Sequence, residues 1–106
     1  MDEKEYERRA GELFHRVLDL FDEVDPDVAD VEHSGDVITI EFVGRGRVVL
    51  NTQRPARQIW LAGGRQAWHF SFDEASGRWI DDRNGDDELM LVLRKLGTEA
   101  GVQLPG

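Results

Sequence analysis

The central half of the chain limits the fold most. From residue 29 to residue 81, apolar and polar residues alternate in short runs, and turn-forming residues, mostly glycine, separate the runs. Period-two alternation sends successive side chains to opposite faces of a strand, so each run has one apolar face to bury. Ala29, Val31 and His33 oppose Asp30, Glu32 and Ser34 in a short edge strand, and the turn Ser34, Gly35, Asp36 leads into residues 37–42. There Ile38, Ile40 and Phe42 oppose Thr39 and Glu41, which completes a hairpin. Gly44, Arg45 and Gly46 turn into a third strand, 48–51. Residues 52–56 connect it to a fourth, 58–62, where Ile59 and Leu61 oppose Gln58 and Trp60. Trp68, Phe70 and Phe72 against His69 and Ser71 mark a fifth, 67–73, and residues 78–81 a sixth.

Helical periodicity flanks this region on both sides. Tyr6, Ala10, Leu13, Phe14, Val17, Leu18 and Phe21 recur at three- and four-residue steps and predict a helix over 3–22. Pro26 ends it, because proline cannot continue the hydrogen-bond ladder and pushes Asp25 toward extended geometry. Leu89, Val92, Leu93, Leu96 and Ala100 predict a closing helix over 87–100, with Gly101 as its stop and Val102 and Leu104 free to tuck back. The expected architecture is an α+β two-layer sandwich, with two helices on one face of a six-stranded, mainly antiparallel sheet. A chain of 106 residues suits one domain, 1–106.

Charge is the second constraint. Residues 1–36 hold 13 acids and 4 bases, whereas residues 37–106 hold 9 of each, so the net charge of −9 resides in the first third. Asp19, Asp22, Glu23, Asp25, Asp27, Asp30 and Glu32 follow one another with no Lys or Arg among them. Such a field repels nucleic acid and anionic membranes and attracts cations or a basic protein surface. No apolar run approaches the roughly twenty residues of a membrane span. Residues 1–16 are charged and helical in pattern rather than a signal peptide, which points to the cytoplasm. With no cysteine, disulfides, thiolate metal sites and cysteine nucleophiles are excluded.

On a helical projection Glu12, His15, Asp22 and Glu23 lie within about 60° of Asp19, on the side opposite the apolar stripe. His15 and Asp19 are an i, i+4 pair, with Asp22 one turn further along the same ridge. Carboxylates suit hard cations such as Ca²⁺, Mg²⁺ and Mn²⁺, and iron accepts carboxylate with imidazole. Residues 25–32, DPDVADVE, are not a calcium loop, since they lack its turn glycine and lead into a strand. Ligands spread over a surface keep their waters, so binding would be weak and unselective. The plain alternative is a solvated acidic face without a ligand. Motifs for nucleophilic hydrolysis, phosphate binding, dinucleotide binding and zinc proteolysis are all missing, so no enzyme activity is expected.

Strand alternation also places Thr39, Glu41, Asn51, Gln58, Trp60, His69 and Ser71 on the sheet face away from the helices. Trp60 among polar neighbours is the kind of aromatic that anchors a protein interface, unless the register turns it inward. Trp68, Trp79 and His33 read as inward-facing.

An acidic helix end running into an acidic first strand, then VITIEF (37–42), NTQRPARQIWLA (51–62), WHF (68–70), WIDDRNG (79–85) and a closing helix resembles the bacterial frataxin (CyaY) family along nearly the whole chain. The segment Asn51 to Ala62 is the most specific. The resemblance implies a frataxin-like sandwich that binds Fe²⁺ or Fe³⁺ weakly and works in iron–sulfur cluster assembly as an iron-responsive modulator of cysteine desulfurase. It implies an acidic ridge of Asp19, Asp22, Glu23, Asp25, Asp27, Asp30 and Glu32, to which the helix projection adds Glu12 and His15. Asn51, Gln53, Gln58 and Trp60, with neighbouring His69, become the sheet surface facing the desulfurase and the iron–sulfur scaffold protein. The expected state is a monomer that iron could drive into oligomers. A purely protein-binding acidic module and a carboxylate ferroxidase are the alternatives. Val24 stands where the family commonly has Trp, and the acidic run is one residue shorter.

Overall fold

A computed structural model of the chain describes residues 1–105. Helix α1 (Glu3–Leu20) starts on Asp2, whose carboxylate accepts a 2.8 Å hydrogen bond from the Glu5 N–H and so satisfies one of the free donors of the first turn. Six strands follow: β1 (Ala29–Ser34), β2 (Val37–Phe42), β3 (Gly46–Gln53), β4 (Gln58–Gly63), β5 (Gln66–Asp73) and β6 (Arg78–Asp81). Helix α2 (Leu89–Glu99) closes the chain. The strands lie in the sheet in sequence order, and every neighbouring pair is antiparallel. The expected two-layer sandwich is the observed fold. No helix among the described residues is long and apolar enough to cross a membrane.

Register decides which side chains are buried. Val31 pairs with Ile40, Ile40 with Val48, Leu50 with Leu61, and Ile59 with Phe70, which gathers the apolar members of each strand on the helix side. They pack against Tyr6, Ala10, Leu13, Phe14, Val17, Leu20 and Phe21 of the first helical region and Leu89, Met90, Val92 and Leu93 of α2. Tyr6 also donates its hydroxyl to the Gln58 carbonyl at 2.6 Å, fastening α1 to β4. Trp68 and Trp79 are core residues as expected. Phe72 is only half-buried, with its ring against Trp79 and the Arg9 guanidinium 5.0 Å from its centre. His33 points to the helix side, edge-on to Phe14 at 5.8 Å, yet stays exposed because β1 is the open edge of the sheet.

Both helices are shorter than their patterns predict. α1 gives way after Leu20 to i, i+3 bonds from Phe21 to Leu18, Asp22 to Asp19 and Val24 to Phe21. Such tightening satisfies carbonyls left free at a helix end, and the acids there, without a cation, oppose the dipole of a longer helix. α2 starts at Leu89 because Glu88 bridges Ile80 and caps the helix, its carboxylate accepting from the Leu91 N–H at 3.0 Å.

The chain end completes the core. Gly101, at φ +80°, lets the backbone reverse so that Gly101 N–H reaches the Thr98 carbonyl and Val102 N–H the Gly97 carbonyl, the paired bonds of a Schellman motif. Val102 and Leu104 are thereby buried beside Gly97, where a Cβ would stand 3.0 Å from Leu104 Cδ1. Leu104→Ala is expected to lower stability by about 2–3 kcal/mol through lost burial and the space left behind. Gln103→Ala, one residue away and exposed, should be near neutral. Urea denaturation checks both, with a lower midpoint and unchanged slope for the leucine variant alone.

Candidate functional site

The acidic segment leaves α1, crosses the turns at 21–28 and enters the open edge strand. Glu12, His15, Asp19, Asp22, Glu23, Asp25, Asp27, Asp30 and Glu32 are all exposed. Among the described residues the ion pairs are Arg8 and Arg9 with Glu5, Arg9 with Glu12, and Arg54 with Glu7 and Asp36. None of the seven acids from Asp19 to Glu32 has a cationic partner. Glu12, 3.6 Å from Arg9, belongs instead to the ion-pair ladder of the first helical turns. Asp25 has structural work as well, because its side chain accepts from the Asp27 N–H at 2.9 Å and its carbonyl from Val28 and Ala29.

His15 departs from the ridge in a different way. With His33, Phe14, Thr52 and Arg54 it lines a groove of about 290 Å³ between α1 and the β1–β2 hairpin. Arg54 closes one end of that groove, and its hydrogen bond to Asp36 holds the guanidinium above its ordinary pKa. No three His, Asp or Glu side chains among the described residues converge closely enough to hold one metal ion together. The arrangement can gather cations by its field and through one or two carboxylates at a time, with the ion keeping most of its water.

The sheet face away from the helices carries the second set. Asn51 pairs with Trp60 and Trp60 with His69, forming one row across β3, β4 and β5, while Gln53, Gln58 and Ser71 form the next. Trp60 is therefore outward. Its indole lies flat on the His69 ring, with centroids 4.1 Å apart and planes 14° from parallel, and donates to Gln58 Oε1 at 3.0 Å. Gln58 in turn donates from Nε2 to Ser71 Oγ and to Asp82 Oδ2. The large ring is held half-buried in one orientation, ready to pack against another surface without losing rotamer freedom.

Register also joins the two sets. Asp30 lies directly opposite Glu41, which lies opposite Arg47. Glu32 lies opposite Thr39, which lies opposite Val49. Glu41 thus extends the acidic surface onto the open face. The alternation put Glu41 on that face, but only strand pairing brings it beside Asp30.

Asp81 is the residue that sequence reasoning missed. It is 5% exposed and unpaired with any cation, and its carboxylate accepts from the backbone N–H groups of His69, Arg83 and Asn84 at 3.0, 3.3 and 3.0 Å. It fixes the 82–87 loop against β5, and with it Asp82, the partner of Gln58. The sequence signal was alternation in the sixth strand, which puts Asp81 on the face of Trp79, although a carboxylate at a strand end reads equally well as solvent-facing.

A family model described as a frataxin-like domain matches residues 1–102. The iron–sulfur cluster assembly protein CyaY of Azotobacter vinelandii is 37% identical over 103 residues, covering 93% of each chain. That of Pseudomonas aeruginosa is 35% identical over 109 aligned positions, covering 100% of this chain and 99% of the relative. Among solved structures, frataxin from Psychromonas ingrahamii superposes with a TM-score of 0.85 at 27% identity, over 98% of this chain and 96% of its own. Trimeric frataxin from the yeast Saccharomyces cerevisiae, in a ferrous complex, matches with a TM-score of 0.75 at 33% identity, over 87% of this chain and 84% of its own.

Asp81→Ala leaves three backbone donors without their acceptor and should destabilise the protein by about 2–3 kcal/mol. Hydrogen exchange is expected to speed at the His69 and Asn84 amides before it does in the core. Asp81→Asn, which retains one good acceptor, should recover about half of the loss.

Proposed function

The chain belongs to the frataxin-like family, and on that premise we propose that it acts in iron–sulfur cluster assembly as a non-catalytic, iron-binding modulator of a cysteine desulfurase. The observation that carries this reading is the run of seven exposed carboxylates from Asp19 to Glu32 without a cationic partner. Fe²⁺ or Fe³⁺ is the cargo, held weakly and in exchange with solvent. A basic face of the desulfurase competes for, or shares, the same carboxylates, so iron occupancy changes partner affinity and the partner changes iron affinity by the same factor. The row Asn51, Trp60, His69 and the row Gln53, Gln58, Ser71 supply the contact with the desulfurase–scaffold assembly.

That no three ligands converge among the described residues favours a second reading, in which the acidic face serves only to dock on a protein and metal binding is incidental. The two separate cleanly. If sub-millimolar Fe²⁺ leaves the amide resonances of residues 15–32 unmoved while the desulfurase shifts them, the second reading holds. A ferroxidase would need two irons held within about 4 Å of each other, and the spread of the carboxylates supports neither that pairing nor a catalytic residue.

Asp19→Lys, Asp22→Lys and Asp27→Lys avoid the turn-capping Asp25. Each should weaken Fe²⁺ binding by roughly two- to five-fold, the scale of one exposed charge interaction, with the triple variant losing more than any single one. Calorimetric titration of iron and of desulfurase measures both affinities, and unchanged values for both would sink the proposal. Desulfurase rates at several iron concentrations then give the direction of the modulation.

Trp60→Ala removes a half-buried interface ring without touching the ridge. It is expected to weaken binding to the desulfurase–scaffold assembly at least about tenfold, as an anchoring aromatic does, and to leave iron affinity unchanged. Equal loss of both affinities would show that the two surfaces do not divide the work in this way.

A further inference from the structure

Beside β6, the sheet edge far from β1, arginines from three elements line one concavity. Arg16 of α1, Arg78 of β6 and Arg94 of α2 line a concavity of about 330 Å³, together with Ser76, Gly77, Glu88, Met90 and Leu91. The strand order puts β6 at the far edge of the sheet from β1. In a chain of net charge −9, guanidinium groups would be expected to find carboxylates, and Arg8, Arg9 and Arg54 do. Arg16, Arg78 and Arg94 have no carboxylate partner among the described residues. Glu88 is the only acid lining the concavity, and one of its oxygens is committed to the Leu91 N–H, so three positive charges against one leave a local charge of +2.

A second observation is independent of charge counting. Arg94 Nε is buried and has no hydrogen-bond partner among the described residues, although one Nη of the same guanidinium reaches the Pro105 carbonyl at 3.4 Å. A shielded N–H without an acceptor is unfavourable, and nearly all such groups in folded proteins are satisfied. Turned toward the concavity it lines, the side chain would present Nε–H and an Nη–H together, the fork that grips two oxygens of one anion. The first turn of α2 forms part of the same wall through Met90 and Leu91, with its dipole already met by the capping Glu88 carboxylate.

We propose that this concavity binds a small, multiply charged oxyanion, held by the guanidinium groups of Arg16, Arg78 and Arg94. The shared chemistry is two or more anionic oxygens on one centre or one short backbone, which a phosphate or a dicarboxylate supplies. This site uses none of the ridge carboxylates and does not depend on the function proposed above.

Amide and arginine Nε resonances are followed while the full chain is titrated at low ionic strength with inorganic phosphate, with malonate, and with chloride at matched ionic strength. Saturable shifts at Ser76 to Arg78, Met90 to Arg94 and the three arginine Nε–H groups are expected with phosphate or malonate. Tighter phosphate binding assigns a tetrahedral anion, and tighter malonate binding a carboxylate. Arg78→Gln and Arg94→Gln should each reduce the affinity roughly five-fold, whereas Arg45→Gln, remote from this concavity, should not. Should Arg94→Gln fail to fold, exposed Arg78→Gln carries the test alone, with an unchanged thermal midpoint in salt-free buffer as its control. Shifts that match chloride, or that persist unchanged in Arg78→Gln, would overturn the proposal.

Discussion

The six strands form an uninterrupted antiparallel meander, and that connectivity governs the rest of the molecule. With no crossover, helices that come before β1 and after β6 cover one face and leave the other to solvent. Burial is therefore one-sided along every strand. Leu50, Ile59 and Phe70 are 0% exposed on the helix side, while Asn51, Trp60 and His69 on the other are only half-buried. The open face has no second layer to hold its side chains in place. Lateral contacts do so instead, with Trp60 stacked on His69 and Gln58 linking Ser71 to Asp82. A polar face held this rigidly is suited to docking, because little conformational entropy is lost when a partner covers it.

A meander also has two edges, and this chain treats them differently. β6 is covered by the loop and helix that follow, through the Ile80–Glu88 bridge and the Asp81 N–H to the Asp87 carbonyl. β1 is left open and carries Asp30 and Glu32. Charge on an open edge discourages pairing with another chain, so those two carboxylates have a structural reason to be there. Asp19, Asp22 and Glu23 have none. They sit where α1 breaks down into i, i+3 turns, in the position where a helix end favours cations. Adverse placement at one element and protective placement at the next combine into one continuous negative surface.

Strand order, the division of apolar from polar residues and the chain end folding back on α2 were all legible as local periodicity. Local periodicity cannot see across a hairpin. Glu41 read as one outward residue among several, and the Asp30–Glu41–Arg47 row came into view only with the pairing of β1, β2 and β3. Asp81 was illegible for a related reason. A carboxylate at the end of a strand, where the chain turns, normally faces water, and no local pattern shows that this one accepts three backbone N–H groups. The convergence of Arg16, Arg78 and Arg94 lay beyond sequence reading too, since it joins α1, β6 and α2, which are distant in the chain. Trp60 could be placed by alternation, but only the flat stack on His69 explains how it stays half-buried on a face without a covering layer.

The register that joins ridge to sheet face bears on how one surface could influence the other. Asp30 and Glu32 lie beside Glu41 and Thr39, which lead across β3 toward the face carrying Trp60. From β1 to β4 the separation is three strand spacings of about 5 Å each, about two Debye lengths at physiological salt, so ridge and ring are linked mainly through a partner that covers both. Neutralising carboxylates on the ridge would change the potential under any partner spanning both areas, and removing that partner would change the pull on the cations. Such coupling is reciprocal, graded with the number of charges and weakened by salt. Under the proposed function, a rigid sandwich could answer to cations through a partner spanning both areas, without a two-state conformational switch.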